Sequence, residues 1–182
     1  MKGEYQHIRH GFEPVYDARS RILILGTLPS VKSREQQFYY GHPQNRFWKV
    51  LAGVVKETEV PASVMEKKQF LLKHRIAIWD VIAECDIIGS SDSSIKNVVP
   101  ADLTRILKAA PIQGIYANGA KAYDLYMKYS YEKIGREISK LPSTSPANAT
   151  FQMDRLLSVW GSMLSGLTED MIEDLGAASQ TS

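Results

Sequence analysis

Cysteine is nearly missing from the chain: Cys85 stands alone among 182 residues. No internal disulfide and no multi-cysteine zinc or iron–sulfur site can be built from it, and the lone thiol reads as a small buried hydrophobe. Histidine is scarce too. Of His7, His10, His42 and His74, none joins an HExxH-type arrangement, and His7 and His10 lack nearby ligands, so neither a metal nor another cofactor is expected. No apolar run approaches the roughly 18 residues of a spanning helix. The amino end, Met1 to Ser20, mixes Lys, Glu, His, Arg and Asp where a signal peptide needs an apolar core. A cytoplasmic protein is expected, nucleoid-associated where the cell lacks a nucleus, with no membrane partner. Charge of one sign is also lacking: 22 basic and 20 acidic residues leave a formal +2, compatible with a nucleic-acid partner but not a signature of one.

The remaining composition, 44% hydrophobic and 23% charged, is that of a globular protein and excludes the disordered class. The length fits one domain able to bury roughly 70% of its unfolded surface. That domain is expected over residues 1–175, as a monomer, with 176–182 a frayed tail. Arg21 to Gly26 is a short apolar run ending in glycine, which suits a strand buried on both faces. Ile76 to Trp79 and Ile112 to Ala117 look alike, and Arg136 to Leu141 supplies a fourth strand. Helical patterns fall at Arg46 to Val55, Ser63 to His74, Ala101 to Ala110, Ala120 to Tyr129 and Phe151 to Leu164. This alternation predicts an α/β fold with about four parallel strands covered on both faces, and ligands bind such sheets beyond the carboxyl ends of the strands.

Three loops follow strands there. The first runs from Gly26-Thr-Leu-Pro-Ser30 on to Phe38-Tyr-Tyr-Gly-His-Pro-Gln-Asn-Arg-Phe-Trp48. The second is Trp79-Asp80, and the third is Leu141-Pro-Ser-Thr-Ser-Pro-Ala-Asn148. Proline stiffens a loop, while hydroxyls and backbone N–H groups bond phosphate oxygens without demanding a base sequence. The third loop alone is as well explained by ending a strand and capping a helix. Two such loops at one edge favour phosphate.

Taken together these motifs resemble the uracil-DNA glycosylase superfamily, and within it the hypoxanthine-DNA (deoxyinosine) glycosylase branch, from about Arg21 to Trp160. The resemblance implies a three-layer α/β/α sandwich with a central, mainly parallel four-stranded sheet, and cleavage of the N-glycosidic bond of a damaged base in DNA. The chain departs from the archetypal uracil enzymes at both usual catalytic positions, having Leu28 where they carry Asp and Leu141 where they carry His. Ser30 stands where they place a bulky Tyr, which leaves room for a purine such as hypoxanthine.

In the hypoxanthine branch the Asn of the His-Pro-x-Asn segment is catalytic, and the match to His42-Pro-Gln-Asn45 is direct. A carboxamide can hold water where an oxocarbenium-like sugar needs positioning more than deprotonation. Asn45 is equally suited to cap the helix that follows. The resemblance makes Tyr40 the ring that stacks on the extruded base, with Tyr39 the runner-up, and adds Gly26 and Ser30 to the base pocket. Asp80 falls where relatives keep a base-reading polar group; it could accept from N1–H of hypoxanthine, orient water or cap a helix.

A flipped-out nucleotide leaves a gap for a wedge. Thr144 to Asn148 is the candidate, with Pro142, Ser143, Ser145 and Pro146 around it and Asn148 able to pair with the orphan base. Asn118-Gly119 reads more simply as a left-handed turn. Lys32, Arg34, Lys121 and Arg155 are candidates for the DNA face, against the reading that each is merely solvated. No lysine falls in a motif position, although Lys32 lies near enough to keep Schiff-base chemistry open; a monofunctional glycosylase is expected, acting on hypoxanthine first and on uracil or xanthine second, in base excision repair. The alternatives are a catalytically silent damaged-DNA binder and a small nucleotide-binding α/β protein.

Overall fold

The computed structural model of the protein describes residues 3–165, so the tail expected at 176–182 lies outside the described residues. In chain order the elements are β1 (Gln6–Arg9), β2 (Ile22–Gly26), α1 (Val31–Gln36), α2 (Phe47–Val54), α3 (Val64–Lys73), β3 (Ile76–Asp80) and β4 (Ile82–Ile87). Then follow β5 (Lys96–Pro100), α4 (Thr104–Ala109), β6 (Gly114–Asn118), α5 (Ala120–Tyr129), α6 (Tyr131–Ile134) and β7 (Ser139–Leu141). A last helix, α7, spans residues 153–165.

The four expected strands pair in parallel in the order β3-β2-β6-β7. Side chains alternate along a strand, so β2 sends Ile22 and Ile24 to one face and Leu23 and Leu25 to the other, all fully buried. On the first face Ile22, Ile24, Ile76 and Ile78 pack with Phe47, Val50 and Leu51 of α2, Phe70 and Leu71 of α3, and Leu156, Trp160 and Leu164 of α7. On the second, Leu23, Leu25, Ala77 and Ile115 meet Ile106 of α4 and Leu125 and Tyr126 of α5. The result is the three-layer α/β/α sandwich.

The second face also carries an unforeseen antiparallel sheet of order β1-β4-β5. Its strands hide from pattern reading for physical reasons. In β4 the buried residues are Ile82, Cys85 and Ile87, a spacing broken by irregular register against β5, while β1 is mostly polar and neither β1 nor β5 has a fully buried residue. Helix α1 is a second correction to the expected loop: Ser30 caps it, its Oγ accepting from Ser33 N at 3.1 Å.

Trp160 ties this core to the third loop. Its ring is fully buried, and Nε1–H donates to the Pro142 carbonyl at 2.9 Å. Trp160→Phe would strand that carbonyl and leave a gap, so urea unfolding should show a loss of about 2–4 kcal/mol. An unchanged midpoint would contradict the anchoring role.

Candidate active site

The strands of the main sheet end together at Gly26, Asp80, Asn118 and Leu141, with Gly26 in register beside Asp80 and Asn118 beside Leu141. A cleft of about 510 Å³ opens beyond this edge. Its walls include Gly26, Ser30, Tyr39, Tyr40, Asn45 and Asp80, together with Ser143 to Ala147. The two Pro-rich loops thus face each other across one space.

Asn45 is half-buried at the start of α2. Its Oδ1 accepts from Phe47 N at 2.9 Å and from Thr144 Oγ1 at 2.9 Å. An amide N–H can only donate, so the atom facing Phe47 must be the oxygen, and the orientation of the carboxamide follows from the network. Both lone pairs are occupied. The Nδ2 group is left as the free, donating end. Capping and a place in the cleft therefore coexist in one side chain.

Thr144, expected in the wedge, is fully buried instead. Its hydroxyl donates to Asn45 and accepts from Asn118 Nδ2 at 3.0 Å, while its backbone N–H donates to Asn118 Oδ1 at 3.1 Å. Asn118, read from the sequence as part of a turn, is therefore a member of the cleft; the turn itself belongs to Gly119, at φ +97°. Arg46 completes the tie between the loops. Its guanidinium donates to the carbonyls of Ser145 at 2.8 Å, Asn148 at 3.2 Å and Phe151, and its backbone N–H to that of Thr144 at 3.1 Å. The exposed residues of the third loop are Pro146 and Ala147 at its tip. Asn148 turns inward, Nδ2 donating to Ser143 O at 3.0 Å, and Pro142 is held by Trp160 rather than lining the cleft.

Tyr40 has φ +53°, a left-handed conformation that costs a bulky residue of order 1–3 kcal/mol. The following turn is held by Gly41 N donating to the buried Ser33 Oγ at 2.9 Å. One face of the Tyr40 ring lies on Phe47, with centroids 3.9 Å apart and planes 18° from parallel. Burial pushes the Tyr40 hydroxyl far above the ordinary phenol range, and the Asp80 carboxylate adds to the effect. Tyr39 belongs mainly to the core: it is 2% exposed, and its hydroxyl donates to Glu13 O at 2.8 Å.

Asp80 caps no helix. It is buried at the cleft floor, Oδ2 accepting from His10 Nε2 at 2.8 Å. Gly26 exists because of it: a Cβ there would collide with Asp80 Oδ1 and come within 2.9 Å of Tyr40 Oη. Among the cations, Arg34 and Lys121 line the cleft. Lys32 instead pairs with Glu35 at 3.3 Å, and Arg155 lies 4.2 Å from the Phe151 ring centroid. Among the described residues no cluster of ligands could hold a metal, and no helix is long and apolar enough to cross a membrane.

Comparison with known proteins matches this architecture. The family model of the uracil DNA glycosylase superfamily covers residues 13–162. A protein from Methanosarcina acetivorans named hypoxanthine DNA glycosylase is 38% identical over 154 residues, 81% of this chain and 93% of the relative. Another of the same name from Methanosarcina barkeri is 32% identical over 145 residues, 77% of this chain and 88% of the relative. The solution NMR structure of a Methanosarcina acetivorans protein, provisionally assigned as a uracil DNA glycosylase, superimposes with TM-score 0.71 at 33% identity. That match covers 86% of this chain and 98% of the other. The chain belongs to the uracil DNA glycosylase superfamily, enzymes that hydrolyse N-glycosyl bonds to bases in DNA.

Proposed function

We propose that the protein is a monofunctional glycosylase that removes hypoxanthine from deoxyinosine-containing DNA, and secondarily uracil or xanthine, as the first step of base excision repair. The observation that carries the reading is the cleft at the strand ends, where a donating carboxamide, an aromatic ring and an accepting carboxylate line one space. Two proteins similar to this chain bear the name hypoxanthine DNA glycosylase, which supports the choice of base. An extruded hypoxanthine stacks on the face of Tyr40 away from Phe47. Asp80 accepts from its N1–H, and the absence of side chains at Gly26 leaves room for that carboxylate.

Asn45 acts through its Nδ2 group, which holds the oxygen of the incoming water. As the bond from C1′ to the purine nitrogen breaks, its electron pair leaves with the base. The water oxygen bonds C1′, and a proton passes to solvent and onward to the departing purine. A carboxamide cannot take that proton, so its contribution is placement of the nucleophile against the electron-poor sugar. The hydroxyls of Ser143 and Ser145, which line the cleft and only accept within the loop, grip phosphates, while Pro146 and Ala147 enter the emptied stack. Lys32 is turned to Glu35 outside the cleft, so Lys121 is the lysine at the cleft wall, and strand breakage without alkali would assign a Schiff base to it.

Duplex and single-stranded oligonucleotides bearing one deoxyinosine, deoxyuridine or deoxyxanthosine test the reading directly. Free hypoxanthine should appear, and the strand should break only after alkali. Tight binding without base release would instead identify a silent damage binder.

Asn45→Ala should lower the single-turnover rate by about 100-fold or more, as loss of a positioned donor does. Asn45→Asp keeps the acceptor for Phe47 and Thr144 and should unfold close to wild type, yet be nearly as slow as the Ala variant. A folded Asn45→Ala enzyme at full rate would refute the assignment. Arg46→Met releases the third loop from the start of α2; its amides should exchange hydrogen faster while the β2 amides stay protected.

A further inference from the structure

His10 belongs to none of the motifs at the strand ends, yet its side chain is as buried as the carboxylate it meets, at 6% exposure against 5% for Asp80. The residue follows β1, in the sheet that pattern reading did not find, and its backbone N–H donates to Ala83 O at 2.8 Å. The imidazole is wedged between rings, 4.6 Å from the Phe12 centroid and 5.8 Å from that of Tyr39. Tyr39 is itself fixed through its hydroxyl to Glu13. The ring makes one polar contact. A carboxylate can only accept, so Nε2 carries the hydrogen that Asp80 Oδ2 receives at 2.8 Å. Nδ1 is buried without a hydrogen-bond partner.

The consequence falls on the other carboxylate oxygen. With Oδ2 fixed to His10, Oδ1 is directed over Gly26, near the Tyr40 hydroxyl, where no hydrogen bond reaches it from any described residue. We infer that His10 is a positioning residue for base recognition: it fixes the Asp80 carboxylate so that Oδ1 accepts from N1–H of a 6-oxopurine. The inference rests on the proposed reading of the cleft as a hypoxanthine site. It assigns to the sheet of β1, β4 and β5 a function beyond covering one face of the core. It also explains why Tyr39 stands beside the cleft without needing to touch a base.

Two variants separate positioning from mere packing. His10→Phe keeps a ring between Phe12 and Tyr39 but removes the donor; His10→Gln restores an N–H donor. Release of hypoxanthine is measured beside release of unsubstituted purine, which presents a lone pair at N1 and no N1–H. Loss of one hydrogen bond to a charged group predicts a fall of roughly 10- to 100-fold in kcat/KM on deoxyinosine for His10→Phe, mostly in KM. Purine release should change by less than about 3-fold, and His10→Gln should recover most of the hypoxanthine activity.

Equal loss on both bases, or full hypoxanthine activity in a folded His10→Phe enzyme, overturns the inference. Absence of hypoxanthine release from the wild type overturns instead the reading of the cleft. Should the Phe variant fail to fold, the wild type labelled with 15N decides the matter on binding an uncleavable 2′-fluorodeoxyinosine duplex. The His10 Nε2 resonance must then shift, and an unmoved resonance overturns the inference.

Discussion

The hydroxyl of Thr144 joins two segments about a hundred residues apart in the chain, receiving a hydrogen bond from Asn118 and giving one to Asn45. Both loops of the cleft depend on that bridge. Without it the carboxamide of Asn45 would keep one bond, to the start of α2, and lose the contact that holds it against the opposite loop. Arg46 reinforces the same junction by gathering four carbonyls, those of Thr144, Ser145, Asn148 and Phe151, onto its guanidinium, whose fork of donors suits such a task. A site assembled from separate loops needs such bonds, because hydrophobic packing beneath the sheet fixes its layers but not the last ångström between loops.

The geometry also carries costs. Tyr40 adopts a left-handed backbone, and Asp80 lies buried beside a phenol whose own ionisation is strongly suppressed by burial. Neither feature stabilises the fold. Both are coherent if the cleft is shaped to hold a planar base: the backbone turn lays the Tyr40 ring against Phe47, and the glycine at 26 lets a carboxylate approach the floor. Local strain of this kind persists when surrounding packing determines it, here the rings of Phe47, Trp48 and Trp160.

Much of the scaffold could be read from residue order. Ile-Leu-Ile-Leu before Gly26 is apolar on both faces, and its shortness, β-branched content and terminal glycine favour a strand at the centre of a layered sheet; the helices at Phe47–Val54 and Ala120–Tyr129 follow from their apolar spacing. The loops around Asn45 and Thr144 were legible because proline, hydroxyl and amide residues cluster at strand ends. Three features were not. The β1-β4-β5 sheet has irregular register and edge strands without a fully buried residue, so no alternation reveals it. His10 acts through a tertiary contact with a residue 70 positions away, which no local pattern encodes. The burial of Thr144 was hidden because a loop hydroxyl looks the same in a sequence whether it faces DNA or a neighbouring amide; the position of Asn118 at the end of a strand was the available clue.

The function of the cleft is decided by where an extruded base goes. A crystal structure of the protein on a duplex carrying 2′-fluorodeoxyinosine would show it. The predicted result is hypoxanthine outside the stack, its face on Tyr40, its N1–H on Asp80 Oδ1, and Pro146 and Ala147 in the vacated step. A base still stacked in the duplex, or lodged away from Asn45 and Asp80, would contradict the account.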